Sequence, residues 1–168
     1  QPVWWDPITG QRRSLPEFEI KDGCTTIPLR LDTFQSGFVI FSKQAPETKS
    51  AGRNFPELQE TGAIARSWQV RFDPKFGGPA SVTFDTLKDW TTCAEPGIKY
   101  YSGKAVYSTT FDRPATLSGD TAAWLSLGTV YNMASVKLNG KDLGVIWCAP
   151  WRVALPGGSL QERDNRLE

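Results

Sequence analysis

Chemistry in this chain must come from carboxylates, cysteines, hydroxyls or aromatic faces, because its 168 residues include no histidine. That removes a Ser-His-Asp or Cys-His apparatus and the commonest zinc ligand. Hydrolysis of a glycosidic bond needs two carboxyl groups about 5–9 Å apart. Asp73, Asp85, Asp89, Glu95, Asp112 and Asp142 supply the residue type, but no motif surrounds any of them and most stand at turn or cap positions. No catalytic residue is therefore assigned. The loop Asp73 to Pro79 (DPKFGGP) offers oxygen ligands, yet a single acid makes a poor calcium site. Cys24, Cys93 and Cys148 are too few and too widely spaced for a disulfide framework or a metal knuckle, so neither a metal nor another cofactor is expected. They read as free thiols, with a Cys93–Cys148 bridge as the alternative in an exported protein.

A sugar can also be held without being cut. That takes an exposed aromatic platform flanked by hydrogen-bonding side chains. Stacking on one sugar face buries about 80 Å², worth roughly 2 kcal/mol. Millimolar affinity takes about 4 kcal/mol, so polar groups must add the rest. The aromatic candidates are Trp151, Tyr101, Tyr100 and Trp147; the polar ones are Asn139, Lys141, Arg152 and Asp89. The competing reading makes Trp147, Trp90 and Tyr107 core or seam residues.

The elements that must position these groups read as strands. Ala134, Val136 and Leu138 alternate with Ser135, Lys137 and Asn139, the period of a half-buried strand. Asn139-Gly140 then supplies the turn, and the alternation is expected to resume at Leu143, Val145 and Trp147. Upstream, Phe18 and Ile20 lead through Asp22-Gly23 into a returning strand Thr25, Ile27, Leu29 and Leu31, with Pro28 marking an edge or a bulge. Gly37 to Phe41 (GFVIF) is a continuous apolar run, as in a strand covered on both faces. Further strands are expected at Trp68–Phe72, Val82–Phe84, Gly103–Phe111, Ala123–Leu127 and Val153–Leu155, and one helical or 3₁₀ turn near Leu87–Trp90. Pro96-Gly97 breaks the chain before Ile98, Tyr100 and Tyr101. Strands at such spacing, split by Gly and Pro turns, describe an all-β antiparallel sandwich or jelly roll.

Composition agrees with a globular domain: 39% of residues are hydrophobic and 22% charged, with a formal net charge of +1. Scattered basic residues predict no nucleic-acid surface, and no apolar run approaches the roughly 18 residues of a membrane span. The first residue is not Met, and Asn165 to Glu168 reads like a strand opening, so a fragment of a longer protein is expected.

Taken in order, the motifs W-x-V-x-F (Trp68–Phe72), GGP, L-x-D-W (Leu87–Trp90), PGIKYYSGKAVYSTTF and SLGTVYNMASVKLNGKDLGVIWCAPW resemble the sugar-binding-type jelly-roll domain of family 2 glycoside hydrolases. The resemblance is closer to the α-L-rhamnosidase-like enzymes of family 106. It covers roughly Trp68 to the end. It implies a galactose-binding-domain-like jelly roll at 68–168, clipped at its C-terminus, with strands of an upstream β-sandwich at 1–42; the polar, aperiodic stretch at 43–67, with Pro46, Gly52, Pro56 and Gly62, reads as a linker between the two. It also implies that catalytic carboxylates lie in a barrel domain outside this chain. The expected role is then that of a non-catalytic accessory domain. Its partners would be carbohydrate and the neighbouring domains of one parent enzyme, in the periplasm or outside a polysaccharide-degrading bacterium. The alternatives are an independent carbohydrate-binding module and a catalytic glycosidase domain.

Overall fold

A computed structural model describes residues 1–33, 35–41 and 52–168. The chain is nearly all β, its strands antiparallel, and it divides into two compact units, Gln1–Glu60 and Thr61–Glu168.

In the first unit, β1 (Pro2–Trp5) lies between β2 (Arg12–Ser14) and β5 (Phe38–Phe41). A separate hairpin joins β3 (Glu19–Lys21) to β4 (Cys24–Thr26). Asp22 and Gly23 both have positive φ (51° and 77°), which gives the expected tight turn. The returning strand stops at Thr26, before Pro28, whose missing N–H cannot extend a ladder. Trp4 and Leu15 form the buried centre. Gly37 lets the chain pass against the Trp4 indole, where a Cβ would come within 2.0 Å of the ring. Asn54 is buried and ties three segments together. Its Nδ2 donates to the Glu17 and Pro28 carbonyls (2.7 and 3.1 Å), and its Oδ1 accepts from Glu17 N–H (2.9 Å). Part of the expected linker, Asn54 and Phe55 included, thus packs in this unit, while its residues 43–51 fall outside those described. The GFVIF run does form β5, but Phe38 and Phe41 are exposed rather than covered on both faces.

The second unit holds a six-stranded sheet in the order β11-β10-β13-β8-β6-β7. Its strands are β6 (Trp68–Arg71), β7 (Val82–Phe84), β8 (Val106–Phe111), β10 (Ala134–Leu138), β11 (Lys141–Ile146) and β13 (Asn165–Leu167). A two-stranded sheet of β9 (Ala123–Ser126) and β12 (Arg152–Leu155) packs opposite. Between the layers lie Phe111, Val136, Leu138 and Leu167 from one sheet and Val153 and Leu155 from the other. A second cluster gathers Val70, Phe72, Phe84, Cys93, Ile98 and Tyr101; Trp68 packs against both. The C-terminal residues do form a strand, and it is an interior one, bonded to β8 on one side and β10 on the other.

Two local expectations are corrected. Pro96 does not merely break the chain: it opens a helical turn, α1 (Pro96–Lys99), where its fixed φ and absent N–H are tolerated at the first position. In β11 the alternation fails. The β10–β11 register shifts by one between Ser135 and Lys137, and Gly144, at φ 100°, takes up the extra residue. Beyond this bulge Ile146 packs on the core and Val145 and Trp147 face out, each about half exposed. Trp147 is therefore not the core residue that strict alternation predicts.

Candidate functional site

The predicted aromatic and polar groups do not converge. Tyr101 is 8% exposed, packed edge-on between Phe72 and Trp90 (ring centroids 4.9 and 5.7 Å). Its hydroxyl accepts from Asp73 N–H (3.1 Å) and donates to the Lys104 carbonyl (2.9 Å), so no polar group is left for a ligand. Tyr101 is a core strut, which corrects its reading as a platform. Trp90 and Tyr107 are half-buried against the same cluster, with Trp90 Nε1 donating to Tyr107 Oη at 2.5 Å. Burial raises the Tyr107 phenol above its ordinary pKa; the hydrogen bond from Trp90 offsets part of that rise.

Asn139 is corrected too. Its φ of 53° supplies the turn, but its amide is fully engaged inside the fold. Oδ1 accepts from Arg166 N–H (2.8 Å), and Nδ2 donates to Asn165 Oδ1 (3.0 Å) and the Ser159 carbonyl (3.2 Å). Asn165, fully buried, continues the network to Gln161 and the Phe111 carbonyl. Together these two amides lock the β10–β11 turn to β13.

Of the remaining candidates, Tyr100 is 75% exposed with Lys99 Nζ 5.6 Å from its ring centroid, Trp147 faces solvent, and Lys141 is exposed at the start of β11. Trp151 is half-buried, its carbonyl accepting from Leu127 N–H (2.8 Å). Arg152 places its guanidinium 5.0 Å from the centre of the Trp124 ring. Among the described residues no hydrogen bond or ring contact joins any two of the eight predicted positions. Trp124 was missed. The alternation that turned Ala123 and Leu125 inward also turned Trp124 outward, and an outward Trp on a strand is the signal that could have found it.

The acids serve local geometry. Asp73 caps a 3₁₀ turn at Pro74–Phe76 by accepting from Lys75 N–H, and Asp89 caps another at Trp90–Thr92 by accepting from Thr91 N–H. Asp142 accepts from Gly144 N–H (2.7 Å) and so holds the bulge. Asp112 accepts from Asp164 N–H and lies 3.7 Å from Arg66. Asp85 and Glu95 are exposed. All three cysteines are free: Cys93 is buried in the aromatic cluster and Cys148 half-buried after β11, which corrects the alternative of a bridge between them.

Two hollows lie on the solvent face of the six-stranded sheet, and of the predicted residues only Asn139 borders them. The strand period turns Gln69, Ser108, Thr110, Lys137 and Arg166 outward while their neighbours fill the core. One hollow, of about 500 Å³, is bounded by Arg66, Gln69, Ser108, Thr110 and Arg166. A second, of about 480 Å³, adjoins it at Arg166 and reaches Lys137 and Glu168. Gln69 Nε2 donates to Thr83 Oγ1 (2.8 Å), which holds the side chain in place.

No protein-family model matches the chain. A Formosa agariphila protein described as "Putative beta-glucuronidase" is 37% identical over 106 residues, 62% of this chain and 9% of that protein. A Methanococcus maripaludis leucine–tRNA ligase is 32% identical over 127 residues, 68% of this chain and 13% of the ligase. Among solved structures, a rhamnosidase from Novosphingobium sp. PP1Y matches with a TM-score of 0.79 at 35% identity, over 99% of this chain and 16% of that protein. The chain thus spans about a tenth of the length of the curated relatives it matches. Fold and similarity together define an all-β sandwich protein related to glycoside hydrolases.

Proposed function

We propose that this chain is a non-catalytic accessory region of an α-L-rhamnosidase-like bacterial glycoside hydrolase, which braces the catalytic domain and contacts carbohydrate. The observation that carries the reading is the rhamnosidase match: nearly the whole chain aligns, yet it accounts for only 16% of that enzyme. The local duties of Asp73, Asp89, Asp112 and Asp142 support it, since a cap, a turn or a bulge accounts for each without a catalytic role. A periplasmic or secreted location is part of the same proposal. The jelly-roll, galactose-binding-like type of the second unit, within family 2 or family 106, belongs to it as well.

Two measurements test it. Incubation of the chain with an aryl α-L-rhamnoside should give no turnover above buffer; release of the aryl alcohol would replace this reading with that of a catalytic domain. Affinity electrophoresis through plant and host glycans should show weak, millimolar retardation. Micromolar binding abolished by Trp124→Ala or Trp147→Ala, with the fold intact, would favour an independent binding module instead.

A further inference from the structure

We infer that the hollow across the outer face of the six-stranded sheet is a binding groove for an acidic saccharide, a chain containing uronic acid, with Arg166 receiving the carboxylate. The inference rests on the proposed carbohydrate-contacting role and names a ligand class and a place for it. Three cations border the two adjoining hollows, and two have carboxylate partners. Arg66 lies 3.7 Å from Asp112, and Lys137 lies 4.0 Å from Glu168, which Arg71 shares at 3.8 Å. Arg166 stands where the hollows meet and has no carboxylate within 4.0 Å among the described residues. Its backbone is fixed on both sides, the N–H donating to Asn139 Oδ1 and the carbonyl accepting from Asn139 N–H, so the root of the side chain is held while the guanidinium is free.

A free guanidinium presents two parallel N–H donors, which match the two oxygens of a carboxylate. Beside it the groove offers the Ser108 and Thr110 hydroxyls and the Gln69 amide, suited to a neighbouring sugar hydroxyl. Its volume falls within the range of small-molecule sites, about 300–1,000 Å³. The lining has no aromatic ring, so a base could not stack there and a sugar would be held by its carboxylate and hydroxyls instead of on a platform; the chain's net charge is only +1. Both features favour an acidic saccharide over a single-stranded nucleic acid.

The test is a calorimetric titration of the chain with a short oligogalacturonate at low salt, beside a neutral oligosaccharide of equal length, a sulfated one and single-stranded RNA. The expected result is selective binding of the oligogalacturonate, weakened about tenfold or more in R166Q and by raised salt. T110V should weaken it less, and the unfolding temperature should not change in either variant. Equal binding of the neutral sugar, or oligogalacturonate binding untouched by R166Q, would overturn the groove while leaving the carbohydrate-contacting role standing. Equal or tighter binding of the sulfated sugar or the RNA would overturn the ligand class. Silence toward every saccharide would remove both the groove and the carbohydrate contact.

Discussion

Single side chains in this protein carry more than their positions in the sequence announce. Asn139 is both a turn residue and the hub that joins the β10–β11 hairpin to β13. Asn139→Ala loses three side-chain hydrogen bonds, each worth about 1 kcal/mol, and replaces an Asn, whose short polar side chain tolerates positive φ, with an Ala that adopts it less readily, costing up to about 1 kcal/mol more. A loss of about 3–4 kcal/mol is expected in urea unfolding. Asn139→Gly keeps the turn and should lose about 1 kcal/mol less; an equal loss in the two variants would mean the turn conformation contributes nothing. Tyr107 predicts a pH effect. Because burial raises the phenol above its unfolded value, the folded state holds that proton more tightly. Stability should be unaffected by this group below about pH 10, the unfolded tyrosine value, and should fall as pH rises from there through the higher folded value. Tyr107→Phe should flatten that alkaline decline in unfolding curves taken between roughly pH 8 and pH 11. A decline as steep as in the parent would remove Tyr107 as its source.

At the level of elements, the bulge in β11 decides which side chains meet solvent. Gly144 sits at φ 100°, and a Cβ there would meet no neighbouring atom, so a substitution would act through backbone strain alone. Gly144→Ala should cost about 1–3 kcal/mol, while Trp147→Ala, on the outward face, should cost no more than about 0.5 kcal/mol. Chemical denaturation of the two variants reads both values. The opposite ranking would mean that Trp147 packs inside and that the bulge does not reverse the strand. Asp142, bonded to Gly144 N–H, fixes the place of the bulge. The motif D-L-G therefore acts as a unit, one that a period-2 reading of the strand passes over.

Across the second unit, two apolar clusters meet at one residue. Trp68 touches both and stands edge-on to Tyr107, with ring centroids 6.3 Å apart. Trp68→Ala should cost about 3–5 kcal/mol, and fluorescence and far-UV signals should still report one shared transition. Two separate transitions would show that the clusters are independent folding units. The all-β class, the Asn-Gly and Asp-Gly turns and the strands from Trp68 to Leu155 were legible in the sequence, because strand period and positive-φ turns are local properties of the chain. The outward Trp124 was legible on the same grounds. The inward Tyr101, the locked amide of Asn139, the exposed Trp147 and the groove around Arg166 were decided only in three dimensions. Each depends on which strands become neighbours, on where a ladder takes an extra residue, and on which carboxylates come within reach of which cations. None of these is a property of neighbouring residues alone: β13 reaches its place between β8 and β10 only when residues 54 positions apart in the chain, Phe111 and Asn165, come together.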